Sequence, residues 1–384
     1  MKVDIVHPGY LPVQPSDLEN KGLGGNETAL VLAARGLAAR GHEVRVFADC
    51  PRVEEQGVNW HPLPGLQEGE YRDVVIFWVR TKRVEPRRFN APVRVAKLGL
   101  KTPNDSLLDQ VLNDEINVLI AFSDFQRRLY LDNFGYPEAA NWVVTADGLD
   151  ISHYARRLPK VPGRFLHAAN PKRGLEPLLD MWPTIRGVYP GAELFVASSH
   201  LLRGITADED ERRAGDLYRR AAAMSADGVR FLGRVAKPDL IELQLTAQFY
   251  LYPTTYPETC CIAALEAAAA GDVIVCSPAG ALPDRVVDGV TGFLIEGDPA
   301  DAAVAWRFAD RVALLREDPS RLERMAQAAR DLAATHDYAH VLPIWEEAFA
   351  RTMKSAPTPA AAGLGGAGCG GGVAGGVAKK PRQE

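Results

Sequence analysis

The chain has 384 residues, more than one ordinary core accommodates and enough for two domains of about 100–200 residues each. Hydrophobic residues make up 47% and charged residues 24%, and 44 basic against 49 acidic side chains leave a net charge of −5. That balance belongs to a globular chain with no bulk electrostatic pull toward nucleic acid, and no apolar run approaches the roughly 18–20 residues that span a bilayer.

The N-terminal MKVDIVHPGY lacks the long apolar core of a secretory signal, and Val3–His7 reads instead as a first strand. A long loop leads to Gly22–Gly25. Over Asn26–Arg40 the apolar residues Ala29, Leu30, Leu32, Ala33, Leu37 and Ala38 follow a helical period. Gly41 ends that helix and Glu43–Ala48 starts a strand. Strand, helix and strand in this order imply a parallel crossover. Asp73–Val79 and Asn117–Phe122 are continuous apolar runs, as strands buried on both faces are. Asp124–Phe134 predicts a helix and Trp142–Thr145 a closing strand. Two prolines and a glycine in Leu158–Gly163 predict a linker.

After the linker the alternation restarts. Strands are predicted at Arg164–Ala169, Glu193–Ser198, Val229–Leu232, Gln248–Tyr252 and Asp272–Cys276. Helices are predicted at Gly174–Val188, Glu209–Ser225, Pro238–Leu245, Thr259–Ala270, Asp301–Arg316 and Ser320–Thr335, with a last helical stretch at Ala339–Met353. The fold class is therefore α/β, with two tandem doubly wound Rossmann-like domains facing a cleft: residues 1–158, residues 159–338, then a terminal helix over 339–354. Residues 355–384 are Gly, Ala, Pro and Val with a basic end, Lys379–Arg382, a composition that predicts a disordered tail. The G-x-G-x-x-G match inside it, at Gly363, Gly365 and Gly368, has no preceding strand and no following helix, so it carries no argument. Five cysteines, Cys50, Cys260, Cys261, Cys276 and Cys369, show neither C-x-x-C nor zinc spacing. A reduced, cytoplasmic protein is expected.

The most informative segment is Tyr252–Gly271, YPTTYPETCCIAALEAAAAG. A strand ending at Tyr252 feeds a short loop and a helix beginning near Thr259. Glu258 then stands at the helix N-terminus and Glu266 eight residues on, about 2.2 turns later, which puts the carboxylates on similar faces roughly 12 Å apart. Free amides from Thr259 to Ile262 predict an anion site between them. An acid on each side of a diphosphate suits a nucleotide sugar, with hydroxyl groups at both ends. Taken singly, Glu258 and Glu266 would be ordinary helix residues. Glu266, however, lies inside the apolar stretch Ile262–Ala270, where an acid without a polar partner is costly.

This segment resembles the E-x7-E element of family 4 glycosyltransferases, retaining enzymes of the GT-B fold. Other motifs fit in order. Gly24–Glu27 (GGNE) resembles the glycine pair that opens the family's first long helix. Ala146–Asp150 (ADGLD) resembles its N-G-x-D turn, with Asp147 where Asn is usual. Pro171–Gly174 (PKRG) resembles its E-K-G turn, and Gly233–Val235 the glycine turn near the nucleotide base. Ala279–Pro283, Asp288-Gly289 and Thr291–Leu294 resemble its G-G-x-x-E…D-G-x-x-G-x-L run. The resemblance covers about residues 1–350.

The resemblance implies metal-independent transfer of a hexosyl group, without cofactor, from a nucleotide-diphosphate sugar in the second domain to a glycan or other hydroxyl acceptor against the first. The terminal helix would cross back onto the first domain. Glu266 would accept the ribose hydroxyls and Glu258 would face the donor sugar. Amides around Cys260, Cys261 and Ile262 would approach the phosphates. Arg173, with Lys172 beside it, would neutralise the leaving diphosphate, and Arg234 and Val235 would meet the base. Gly24 and Gly25 would let the first-domain backbone come close. Glu258 and Arg173 are the implied catalytic pair.

The chain also departs from the family. Ala168 stands where an arginine is usual, with Lys172 or His167 as substitutes in charge. Val95–Leu100 lacks the usual His or acid, and Lys97 and Lys101 are read as acceptor-pocket residues or solvated strand ends. Asp284 follows Pro283 where the family has Glu. Two alternatives stay open: a nucleotide-sugar-binding module without transfer, and a sugar-nucleotide isomerase on the same fold. Asp208-Glu-Asp210 matches a D-x-D metal motif, but acids belong in a helix first turn. Cys260 and Cys261 read as small packing residues, and His7 as a loop histidine at a strand end. Arg80, Lys82, Arg83, Arg87 and Arg88 form a basic cluster, either a solvated face or a weak contact with a membrane surface or acceptor.

Overall fold

Short runs of Val, Ile and Phe build both sheets, because a parallel strand covered on its two faces has no solvent side to reserve for polar residues. The computed structural model describes the chain except Tyr10, residues 21–22, 79–84, 100–101, 104–105, 202–203 and 356–384. The predicted tail from residue 356 onward, Gly22, Lys101 and the Arg80, Lys82 and Arg83 part of the basic cluster lie outside the described residues, while Ser355 still belongs to the terminal helix.

Among the described residues, β1 (Lys2–Val6), β2 (Glu43–Ala48), β3 (Val53–Glu55), β4 (Val58–Pro62), β5 (Val74–Trp78), β6 (Val93–Lys97), β7 (Val118–Ala121) and β8 (Trp142–Val144) form one sheet in the order β3-β4-β2-β1-β5-β6-β7-β8. Its pairings are parallel apart from the β3–β4 ribbon. Helices α1 (Asp17–Asn20), α2 (Gly25–Ala39), α3 (Leu107–Leu112) and α4 (Asp124–Phe134) belong to this half. In α2 the residues Ala29, Leu30, Ala33, Ala34 and Leu37 make the buried face.

The second sheet contains β9 (Arg164–His167), β10 (Glu193–Val196), β11 (Val229–Phe231), β12 (Phe249–Tyr252), β13 (Val273–Cys276) and β14 (Gly292–Leu294), all parallel, in the order β11-β10-β9-β12-β13-β14. Its helices are α5 (Leu175–Val188), α6 (Ala207–Ala223), α7 (Lys237–Thr246), α8 (Ile262–Ala270), α9 (Ala302–Glu317) and α10 (Pro319–Ala334). The linker is fastened to this half: Lys160 Nζ lies 2.6 Å from Asp272 Oδ1, and Val161 N–H donates to Thr246 O.

Helix α11 (Tyr338–Ser355) returns to the first sheet. Leu342, Trp345 and Phe349 enter the core formed by β1, β2 and α2, while Tyr338 OH donates to Ala29 O at 3.0 Å and Trp345 Nε1 to Thr145 Oγ1 at 2.9 Å.

Strands β3, β4, β6 and the three-residue β14, GFL, escaped the sequence reading. Strand β3, VEE, has one apolar residue, β4 alternates, and β6, VRVAK, is broken by two cations. The second of those cations is buried, so charge misreported burial there.

Both sheets have a point where the strand order reverses, between β1 and β5 in the first and between β9 and β12 in the second. Loops leaving the two strands diverge at such a point and leave a crevice outside the strand C-termini. In the second sheet Arg173 lies on the loop after β9 and Glu258 on the loop after β12.

Candidate functional site

The loop after β9 turns through Gly174, at φ +91°, where an added Cβ would meet Pro253 O at 2.8 Å. Only glycine lets the β9 and β12 loops touch in this way. The turn brings Arg173 to Glu258. Nη1 of Arg173 donates to both carboxylate oxygens, at 3.0 and 3.1 Å, and Tyr252 OH at the end of β12 donates to Glu258 Oε1 at 2.6 Å. The guanidinium also lies 4.1 Å from the centre of the Tyr256 ring. The Glu258 side chain is 5% exposed and that of Arg173 32%, so the acid is locked inside while the cation opens to the crevice. Burial opposes the Arg173 charge, but Glu258 together with Tyr252, Tyr256 and Cys261 outweighs it and holds the guanidinium more firmly protonated than usual.

One expectation needs correcting. Glu258 does not open a helix: it forms a parallel bridge with Gly280, and α8 begins at Ile262 behind Cys261, whose backbone is left-handed at φ +59°. Gly280 is required, since a Cβ there would come within 2.3 Å of Glu258 O. With loop residues between Glu258 and the helix, the two acids do not share a helical face. Glu258 turns to Arg173 and Tyr252. Glu266, on α8, turns to α7, where Lys237 Nζ bonds its Oε1 and Gln244 Nε2 lies 3.5 Å from Oε2. The rest of α8 from Ala264 to Ala270 is buried, and a helix apolar all round belongs inside. Glu266 is tolerated there as half of an ion pair.

Among the described residues no acceptor takes the amides of Cys260, Cys261 or Ile262. Burial pushes the Cys260 thiol up to about 11 and the Cys261 thiol well above its usual range, so near neutral pH these are small packing groups rather than nucleophiles. From the first half of the chain, Gly25 faces Ile262: a Cβ on it would sit 3.5 Å from Ile262 Cδ1. Gly24 caps α2 in an extended conformation. Lys172 is exposed and lines a cavity of about 470 Å³ with Gly174, Pro253 and Thr255. Arg234 and Val235 line a second cavity of about 560 Å³ beside α7.

The structure thus bonds Arg173 to Glu258, leads from Glu258 through Cys260 and Cys261 into α8, and sets Gly25 against Ile262. Lys237 and Glu266 join α7 to α8, and Arg234 and Val235 stand on the α7 side. Tyr252, Tyr256, Lys237, Gln244, Ser123 and Arg285 were missed. The tyrosines flank Glu258 in the quoted segment and were legible there. The others come from distant parts of the chain, and no local pattern marks them.

His167 cannot replace the cation missing at Ala168. It is fully buried, its Nδ1–H donates to Leu251 O at 3.0 Å, and burial lowers its pKa to about 4. His7 is buried too, with Nε2 4.0 Å from Glu27 Oε1, and burial lowers it to about 4. Both pKa values fall below the ordinary 6.5, so the stability they confer is full above pH 6.5 and is lost progressively as pH falls from 6.5 to about 4. Each buried neutral ring is expected to cost about 2 kcal/mol of stability between pH 7 and pH 5, read as the difference in the pH dependence of urea unfolding between the parent and His7→Gln or His167→Gln, and an equal dependence would contradict the burial of neutral rings.

Lys97 is neither a solvated strand end nor open to an acceptor. It is 1% exposed, with Nζ 2.6 Å from Asp147 Oδ1 and 3.8 and 4.0 Å from the ring centres of Trp78 and Phe122. Burial pushes its pKa down against the pull of Asp147. In the D-x-D run, Asp210 turns inward to His200, Ser199 and Tyr218. Among the described residues no group of three or more His, Cys, Asp or Glu is placed to hold a metal ion, and no described helix is long and apolar enough to cross a membrane. Arg87 and Arg88 pair with Glu85.

Residues 164–332 match the family described as Glycosyl transferases group 1. A phosphatidyl-myo-inositol mannosyltransferase of Mycobacterium tuberculosis is 28% identical over 241 residues, which are 60% of this chain and 58% of that protein. The chain therefore spans little more than half the length of this curated relative. A glycosyltransferase from Rickettsia africae superposes with a TM-score of 0.72 at 13% identity, over 92% of this chain and 99% of its own. Anabaena HepE, solved with UDP and glucose, does so at 0.66 and 16%, over 91% of this chain and 100% of its own. At such identities these two likenesses concern the fold.

Proposed function

We propose that this chain, which belongs to the group 1 glycosyl transferases through its residues 164–332, moves a sugar from a nucleotide-diphosphate sugar to a hydroxyl acceptor with retention of configuration. The observation that carries the reading is the Arg173–Glu258–Tyr252 cluster, set at the strand reversal of the second sheet beside amides that find no acceptor among the described residues. The bonds to Glu258 use only Nη1 of Arg173, so Nε and Nη2 remain to take phosphate oxygens. As the bond from the sugar to the diphosphate breaks, negative charge grows on the departing phosphate. Arg173 and the amides of Cys260 and Cys261 stabilise it, with no metal ion in the scheme. Glu258, held by Tyr252, faces the donor sugar, where its charge favours the positive character that develops on the ring. Glu266, fixed by Lys237, accepts the ribose hydroxyls. The acceptor approaches from the first domain. The four described cysteines are free, which fits a reducing cytoplasm.

The test is a panel of UDP, GDP, ADP and TDP and their sugars. One nucleotide diphosphate should raise the melting temperature, since a ligand at about 100 times its Kd adds about 2.7 kcal/mol, and its sugar should release that diphosphate when acceptors are supplied. Neither shift nor release across the panel would remove the reading. The alanine at position 168, with its neighbour His167 neutral, keeps one other reading open: a shift with no release, acceptors included, would make the chain a binding module.

A further inference from the structure

Ser123 and Arg285 grip two successive peptide planes in the loop between Glu258 and α8. Ser123, 3% exposed, caps α4 by accepting Gln126 N–H at 3.1 Å, and its own hydroxyl donates to Thr259 O at 2.8 Å. Arg285, 5% exposed, donates through Nε to Cys260 O at 3.0 Å and through Nη2 to Phe122 O at 2.6 Å, with Nη1 3.4 Å from Asp284 O. Its partners among the described residues are backbone carbonyls. A buried guanidinium is thus spent on joining the end of β7 to the loop before α8.

In a planar trans peptide the carbonyl and the following N–H point in opposite directions. Holding Thr259 O therefore aims the Cys260 N–H, and holding Cys260 O aims the Cys261 N–H. Donation into a carbonyl also polarises its peptide and strengthens the N–H on the far side. These two amides lack an acceptor among the described residues. Both anchors reach the first domain, Ser123 by belonging to it and Arg285 through Phe122 O.

We infer that Ser123 and Arg285 are positioning residues through which the first domain aims the Cys260 and Cys261 amides at the donor diphosphate. The inference rests on the donor reading above. It makes diphosphate affinity depend on how the two domains meet, without either side chain touching the ligand.

Ser123→Ala and Arg285→Lys, made in the full chain, test it. The probes are UDP, GDP, ADP and TDP with their matching nucleosides, measured by calorimetry and by ligand-observed NMR competition. Each substitution should weaken the bound diphosphate about tenfold, the worth of a hydrogen bond to a charged group, and leave its nucleoside unchanged. General loosening of the domain would weaken both. An unchanged ratio of diphosphate to nucleoside affinity overturns the inference even if the parent protein turns donor over. If the parent binds no diphosphate, the donor reading fails and the inference falls with it. Should Arg285→Lys not fold, Ser123→Ala, checked by its melting temperature, decides alone.

Discussion

Replacing Glu258 with Gln should lower nucleotide-diphosphate release by a factor of about 100 or more while the protein stays folded. The substitution preserves the side-chain shape and the acceptor for Tyr252 OH, which lies 2.6 Å from Oε1. It removes the negative charge at a position 5% exposed, where water screens little. Arg173 is not stranded, because a third of its side chain reaches the crevice. Freed of its counter-ion, the guanidinium attracts a diphosphate at least as well as before, so the loss should fall on kcat while KM holds or drops. That split marks a group acting on the developing charge rather than on ground-state binding. Steady-state kinetics with the donor found in the panel would show it. An unchanged kcat, or a rise in KM alone, would reassign Glu258 to holding the loop.

Lys97→Met should destabilise the protein by about 3–5 kcal/mol, because it leaves the Asp147 carboxylate buried without a counter-charge. Asp147 is 3% exposed and Lys97 1%. Two aromatic rings surround the ammonium, and the Asp147 N–H reaches Cys260 Sγ at 3.4 Å, so the damage lies directly under the contact between the two halves. The double substitution Lys97→Met with Asp147→Asn removes both charges and should recover most of the loss, since a buried pair and a neutral pair of similar volume are often close in stability. Urea unfolding at pH 7 measures both. A single variant within about 1 kcal/mol of the parent would show that water reaches the pair. The pair also joins two departures from the resembled family: a lysine in the strand-end region that lacks the usual His or acid, and an aspartate where it has Asn.

Much of the architecture was legible in the order of residues. Continuous apolar runs marked the buried parallel strands, and the 3.6-residue period with Gly41 behind it marked α2, because burial repeats with the geometry of a single element. The apolar run Ile262–Ala270 marked α8, and the amides before it are the ground on which an anion site is proposed near Cys260 and Cys261. What periodicity could not convey is where a side chain finds a partner on another element. Tertiary structure alone decided that Glu258 lies outside the helix, turned to Arg173 from 85 residues away. It also decided that Lys97 is interior, and that Arg285 ties Phe122 to Cys260 across 163 and 25 residues of chain. A charge reads as exposed in a string because burying it alone is costly. It becomes a core residue only when the fold supplies the opposite charge or a carbonyl, and that supply is non-local.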